Sequence, residues 1–481
     1  MQDTFKPMED APPQLMESVF QLQRSTALAW RQSSAAERIA RLQRLRQCIL
    51  EERDALYLAF EKDFRKPRVE VDATEIIPVL EEIQHNCSQL KRWMRPHNVG
   101  RTLLTLTESA SVHYQPKGRC LIIAPWNYPF FLLMGPLVSA LAAGNTAILK
   151  PSELTPAVNA VMRHIVENTF RPNEVALFEG GLATSQALLA KPFDHIFFTG
   201  SPTVGKLVME AASKHLASVT LELGGKSPTV VDASADLRRA AETLLWGKFI
   251  NNGQTCVAPD YVYVHQSVKD EFIKHCVDVL ELRYGDSPQA QQATHDLTRV
   301  ISDRHTARLA GLLAHAVDSG ARVLAGGQVD ADDRFIAPTL LDHVPPSTAL
   351  MQEEIFGPIL PIIAYSTLGT VIDAINAQPK PLALYVWSQC KETVDALLTQ
   401  TSSGGVCINH CVLHVAHGKL PFGGVNNSGI GSAHGIFGFK AFSHERAVLR
   451  GGWLNPIQLF FPPYTGWKKT LLGWAVKWFG R

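Results

Sequence analysis

The residues best able to do chemistry in this chain are Cys256 and Glu222, 34 positions apart. Cys256 lies in FINNGQTCVAPDY (249–261), a run of small and polar residues with no charge until Asp260. A helix-patterned segment (237–250) leads in, and the β-branched and aromatic run 261–264 leads out. The cysteine therefore belongs to a connector between two regular elements, where catalytic side chains concentrate. A thiol there can act as a nucleophile, because a thiolate attacks well even at modest ionisation. The competing reading is small core filler. Glu222 sits in VTLELGGKSP (219–228), in an apolar strand that ends at a Gly-Gly turn. A carboxylate there is either buried with a partner or held as a base. Period-two alternation sets it opposite Leu221 and Leu223, so a solvated strand-face glutamate is the alternative.

The elements around these residues read as α/β. Residues 13–65 are helical, with Ile39, Leu42, Leu45, Ile49, Leu56 and Phe60 spaced three, four or seven apart. A further helix over 71–94 runs into a connector at Pro96, and Leu/Thr alternation over 102–114 predicts a strand or hairpin arm. Short apolar runs at 120–124, 146–150, 174–178 and 195–199, each separated by a helix length, predict parallel strands buried on both faces. Right-handed crossovers would then build a doubly wound sheet, with ligands beyond the strands' carboxyl ends. Pro125-Trp126-Asn127, Lys150 to Glu153 and Gly200 to Gly205 stand at those ends. Gly200-Ser201-Pro202-Thr203-Val204-Gly205 opens a helix whose first amides suit a pyrophosphate. Its Gly-x4-Gly spacing matches neither the GxGxxG fingerprint nor a Walker loop, and a plain strand–turn–helix junction is the alternative. Lys150 could hold a ribose hydroxyl or a phosphate, or be an ordinary exposed lysine. Residues 228–410 predict a second α/β stretch, with strands at 228–231, 261–264, 321–325, 359–364, 383–387 and 405–408.

Composition excludes several function classes. With 481 residues, 46% hydrophobic, 19% charged and a net charge of +1, the chain reads as globular, with two or three domains and no call for nucleic acid. Eight cysteines without framework spacing, and an opening MQDTFKPMEDAPP that lacks a basic-then-apolar signal, point to a reducing cytoplasmic compartment. Cys407, His410, Cys411, His414 and His417 form a tempting metal cluster. Strand alternation would split them between two faces, so no metal is expected.

Seven motifs in order, PWNYP (125–129), KPSE (150–153), FFTGSPTVG (197–205), LELGGKSP (221–228), NGQTCVAPDY (252–261), EEIFGP (353–358) and LPFGGVNNSG (420–429), resemble the NAD(P)-dependent aldehyde dehydrogenase superfamily. CVAPDY and FSHERAVL (442–449) are most similar to its class 3 branch of fatty-aldehyde and coniferyl-aldehyde dehydrogenases. The resemblance implies an α/β fold of two doubly wound open parallel-sheet domains plus a small β bridging arm. It implies a cofactor domain (1–101 and 120–222), a catalytic domain (223–410), a bridging arm (102–119 and 411–450) and a tail (451–481). It implies Cys256 as nucleophile, Glu222 as general base and Asn127 as oxyanion-hole donor. Lys150 and Glu153 would hold the adenosine ribose, Gly200, Ser201 and Gly205 the phosphates, and Glu354 with Phe356 the nicotinamide ribose. The cofactor would be NAD, with NADP as the alternative, and the substrate a medium-to-long aliphatic or aromatic aldehyde. A homodimer is expected from the exposed strand arm. The chain departs from the family at Asn251-Asn252, where a smaller residue is expected at one of the two, and at the first Asn of VNNSG, often a glycine.

The tail carries six basic and no acidic residues from Arg446 to Arg481. Trp467, Leu471, Trp474 and Trp478 share one helical face, with Lys469 and Lys477 opposite. A helix over 464–481 is too short to span a bilayer but suits a membrane surface, with packing over the substrate entrance or at the dimer contact as the alternative, and surface binding and a gate can coexist.

Overall fold

The computed structural model describes residues 10–102, 105–453 and 456–480. Two mostly parallel sheets organise the chain, each with one antiparallel edge strand. The first runs Gly429–Ile430, Ser218–Leu223, His195–Gly200, Arg119–Ile123, Thr146–Lys150, Val175–Leu177, and only Gly429–Ile430 is antiparallel. The second runs Arg322–Ala325, Thr339–Asp342, Ile359–Tyr365, Tyr261–His265, Pro228–Val231, Ala383–Trp387, Gly405–Ile408, with Arg322–Ala325 antiparallel. Helices on both faces explain why the strands are continuous apolar runs rather than alternating ones. Thr339–Asp342, all buried, is a strand the sequence reading omits.

The helix Pro129–Ala143 is apolar all round and buried almost throughout, as a helix wedged between layers must be. Its amino end follows Asn127 directly, so this helix carries the PWN corner. The strand or hairpin expected over 102–114 begins later than the Leu/Thr alternation suggests. Residues 103–104 lie outside the described residues, Thr105 to Glu108 is turn, and the strand is Ser109–Pro116. It pairs antiparallel with His97–Val99 and along its whole length with Ser443–Arg450. Within 411–450 only Ser443–Arg450 joins that arm, because Gly429–Ile430 belongs to the first sheet.

The tail forms the helix Gly466–Phe479, with no buried residue. No helix among the described residues is long and apolar enough to cross a membrane.

Candidate functional site

Cys256 is half-buried where two cavities meet. One, of about 220 Å³, is almost wholly apolar and is lined by Tyr128, Trp246, Ile250, Val412, Leu413 and Val415 among others. The other is a narrow slot that Cys256 shares with Glu222, Thr199 and His434. The thiol thus faces an apolar vestibule on one side and a carboxyl on the other. Burial pushes the Cys256 thiol up to about 12, and the negative charges of Glu354 and Glu222 add to the effect. The backbone amides of Cys256 and Val257 work the other way, favouring the thiolate.

Glu222 is 5% exposed, and neither carboxylate oxygen has a hydrogen-bond partner among the described residues. Burial holds its carboxyl well above the usual range. The alternative of a solvated strand face fails for a topological reason. Ser218–Leu223 lies inside a sheet covered on both faces, and Gly429 pairs opposite Glu222. An unpaired acid in such a place costs stability and marks a site with another role.

Asn127 is 2% exposed. Its Nδ2 donates to the Gln254 carbonyl (2.9 Å), which leaves the second amide hydrogen free of that bond. Gln254 is itself locked: its Nε2 donates to the Asn251 and Arg299 carbonyls, and its Oε1 accepts from the Ile301 amide. Asn251 is the residue that sequence reasoning passed over as a packing oddity. Its Nδ2 donates to the Asn127 carbonyl (2.8 Å) and the Gln254 carbonyl (3.2 Å). Asn251 and Asn252 both take left-handed φ (51° and 54°), a conformation asparagine tolerates better than other non-glycine residues. Two asparagines before a glycine was the available signal. The first Asn of VNNSG, Asn426, is left-handed too (φ 54°), which accounts for glycine being the usual residue there.

The remaining predicted residues stand at strand ends, a helix start and turns. Lys150 is buried, donates to the Pro151 carbonyl (2.9 Å) and reaches Glu153 at 3.5 Å. Burial lowers its amine's pKa, and Glu153 opposes that shift. Ser201 caps the helix Pro202–Ser213 by accepting from the Val204 amide. At Gly200 a Cβ would come within 2.5 Å of the Phe198 ring, and at Gly205 within 2.7 Å of Leu223. At Gly224 it would come within 2.2 Å of the Glu354 carboxylate, so that carboxylate lies directly over bare backbone. Burial pushes Glu354 up to about 8. Phe356 has φ 50° and meets Trp126 edge-on at 5.4 Å. First-turn helix amides, an amine beside a carboxylate, and a second carboxylate against a glycine suit a dinucleotide's phosphates and riboses.

The histidine–cysteine cluster resolves differently from the alternation argument. The strand stops at Ile408, and left-handed turns at Asn409 and Val412 fold the chain back. Cys407 Sγ then meets His414 Nδ1 at 3.2 Å, two residues that alternation had put on opposite faces. Among the described residues no three His, Cys, Asp or Glu side chains gather as metal ligands.

Comparison with known proteins identifies the family. The sequence model of the Aldehyde dehydrogenase family matches residues 2–448. The 4,4'-diaponeurosporen-aldehyde dehydrogenase of Staphylococcus aureus (strain NCTC 8325 / PS 47) is 44% identical over 425 residues, 88% of this chain and 91% of that protein. Aldehyde dehydrogenase family 3 member B2 of Mus musculus is 42% identical over 441 residues, 91% of this chain and 90% of that one. Among solved structures, the substrate-bound state of Staphylococcus aureus AldH superposes with a TM-score of 0.91 at 41% identity, covering 96% of this chain and 99% of that one. The Mycobacterium tuberculosis aldehyde dehydrogenase complexed with NAD+ gives a TM-score of 0.83 at 27% identity, over 93% and 92% of the two chains. This chain belongs to the aldehyde dehydrogenase family.

Proposed function

We propose that this enzyme oxidises a medium-to-long aliphatic or an aromatic aldehyde to the carboxylic acid with NAD, or with NADP, through a thiohemiacetal and a thioester on Cys256. One observation carries the reading: Cys256 stands at the junction of an apolar vestibule and a slot holding an unpartnered carboxyl, Glu222. An aldehyde entering from the vestibule presents its carbonyl carbon to the sulfur. Attack by the thiolate places negative charge on the former carbonyl oxygen, where the free hydrogen of Asn127 Nδ2 and the Cys256 amide can donate. The nicotinamide, when bound, supplies the acceptor for the hydride that leaves this carbon. Glu222 then takes a proton from water, which attacks the thioester and releases the acid and the thiol. A hydrolytic base in the slot favours water over coenzyme A as the acyl acceptor.

Lys150, Glu153, Gly200, Ser201, Gly205, Glu354 and Phe356 form the cofactor cradle in this reading. The NAD+ complex of the Mycobacterium tuberculosis relative supports NAD. Chain length is favoured over polarity because the vestibule offers a substrate tail almost nothing to hydrogen-bond. The homodimer rests on two uncovered strand edges, Ser443–Arg450 in the small sheet and Gly405–Ile408 in the second large one. The tail helix, with Trp467, Trp474 and Trp478 more than half exposed, would rest on a membrane surface or over the vestibule, in a cytoplasmic enzyme.

The test is NADH formation with aldehydes from acetaldehyde to hexadecanal, plus benzaldehyde and coniferyl aldehyde, for wild type and Cys256→Ala. Rates that climb with chain length, or favour the aromatics, and vanish in the variant are expected. No wild-type turnover with either nicotinamide would overturn the proposal.

A further inference from the structure

The corner that carries Asn127 lacks a cap of its own. Tyr128 stands at the N-cap of the helix Pro129–Ala143 and makes no side-chain capping bond, and Pro129 brings no N–H. The capping acceptor comes instead from a distant stretch of chain. Glu75 Oε2 accepts from the Phe131 amide (2.9 Å), while its Oε1 accepts from Lys66 Nζ (2.7 Å). Both side chains of this ion pair are fully buried. Lys66 Nζ also lies 4.1 Å from the centre of the Tyr128 ring, within cation–π range. The Tyr128 hydroxyl in turn bonds Thr255 Oγ1 (2.7 Å), one residue before the nucleophile.

Glu75 sits in a π-helical turn, Asp72–Ile76, between two α-helical segments. Such turns occur mostly where a helix must aim a side chain for function. Just before it, Glu70 accepts from the Asn251 amide (2.9 Å), and Asn251 holds the Asn127 carbonyl. Residues 66–75 therefore grip Asn127 from both sides: Glu70 through Asn251, and the ion pair through the helix start and Tyr128. A buried ion pair is poor evidence for stability, since its desolvation cost offsets its attraction. Holding geometry is what this one is placed to do.

We propose that Lys66 and Glu75 are positioning residues that set the oxyanion donor Asn127 and the Thr255–Cys256 backbone in register, so that the chemical step depends on them and aldehyde binding does not. The proposal rests on the reading of Asn127 as oxyanion donor. Neither side chain lines the vestibule or the slot; Glu75 holds the backbone amide of Phe131 and Lys66 the face of Tyr128, two residues that do line them, beside the links to Asn127 and Thr255.

The test uses the full chain with NAD and the best aldehyde of the panel. Glu75→Gln removes the charge. Lys66→Met/Glu75→Leu replaces the pair with apolar side chains, a change buried pairs commonly survive without unfolding. Both are combined with Asn127→Ala, and thermal melts report folding. The expected result is a kcat loss of about 10- to 100-fold, the scale of a small misplacement, with KM within about threefold of wild type. Added to Asn127→Ala, either change should cost little more, because residues acting through one group are not additive. Wild-type kcat in the apolar double variant, or losses that multiply with that of Asn127→Ala, would overturn it. Turnover by wild type with no loss in Asn127→Ala would overturn the oxyanion reading and this proposal together. An active wild type, a damaged Asn127→Ala and intact pair variants would overturn this proposal alone.

Discussion

Replacing Asn127 by alanine removes a side chain to which the proposed mechanism gives two separable tasks. One hydrogen of Nδ2 is bound to the Gln254 carbonyl at 2.9 Å, and the other, in the proposed mechanism, would donate to the reacting oxygen. Loss of the first bond is a modest cost to the fold. Gln254 keeps the Asn251 Nδ2 donor at 3.2 Å, so no buried carbonyl is orphaned, and about 1 kcal/mol of stability is expected to go. Loss of the second is felt only when charge develops in the transition state. Comparable oxyanion donors are worth about 2.7–4 kcal/mol, or roughly 100- to 1000-fold in kcat. Asn127→Asp should be slower still, because it puts acceptors where both the Gln254 carbonyl and the oxyanion need a donor. Steady-state NADH formation beside thermal melts separates the two tasks. An Asn127→Ala enzyme within about threefold of wild type, or one no faster than Asn127→Asp, would refute the reasoning.

Four further outcomes follow from the same geometry. With the Cys256 thiol near pH 12 in the free enzyme, iodoacetamide alkylation should still be rising with pH above 9 rather than levelling off. Glu354 ionises near pH 8 and its negative charge opposes the thiolate, so Glu354→Gln should move that profile toward lower pH; an unchanged profile would contradict this. Gly224→Ala should displace the Glu354 carboxylate and raise KM for NAD while leaving KM for the aldehyde near wild type, as steady-state kinetics would show. Removing residues 464–481 should lower kcat/KM for hexadecanal more than for short aldehydes; equal loss on both would count against a lipid-side role for the tail helix.

Much of the site was legible because its residues lie at element ends, where local sequence carries the geometry. Cys256 in its connector, Asn127 after Arg119–Ile123 and Ser201 at a helix cap fall where the strand and helix patterns put them. Glu222 was ambiguous because alternation says which face a side chain takes, not whether that face is covered. Burial here comes from layers contributed by distant segments. Alternation also misled at Cys407 to His414, since it presumes a strand that ends at Ile408. Lys66, Glu70 and Glu75 escaped notice, and Asn251 was noted only as a departure, for a related reason. The Lys66–Glu75, Glu75–Phe131 and Glu70–Asn251 bonds span 9, 56 and 181 positions, and the π-turn that aims Glu75 leaves no simple periodic mark. The strand Thr339–Asp342 was missed because four buried residues offer no period to read.

The most direct measurement of the central claim is a single-turnover experiment on Glu222→Gln, with NAD and the preferred aldehyde. Without the base, thioester hydrolysis should stall after hydride transfer. The account predicts a burst of about one NADH per active site and an acyl group found by mass spectrometry on the peptide bearing Cys256. Continued turnover at the wild-type rate, or a burst with no adduct on that peptide, would contradict it.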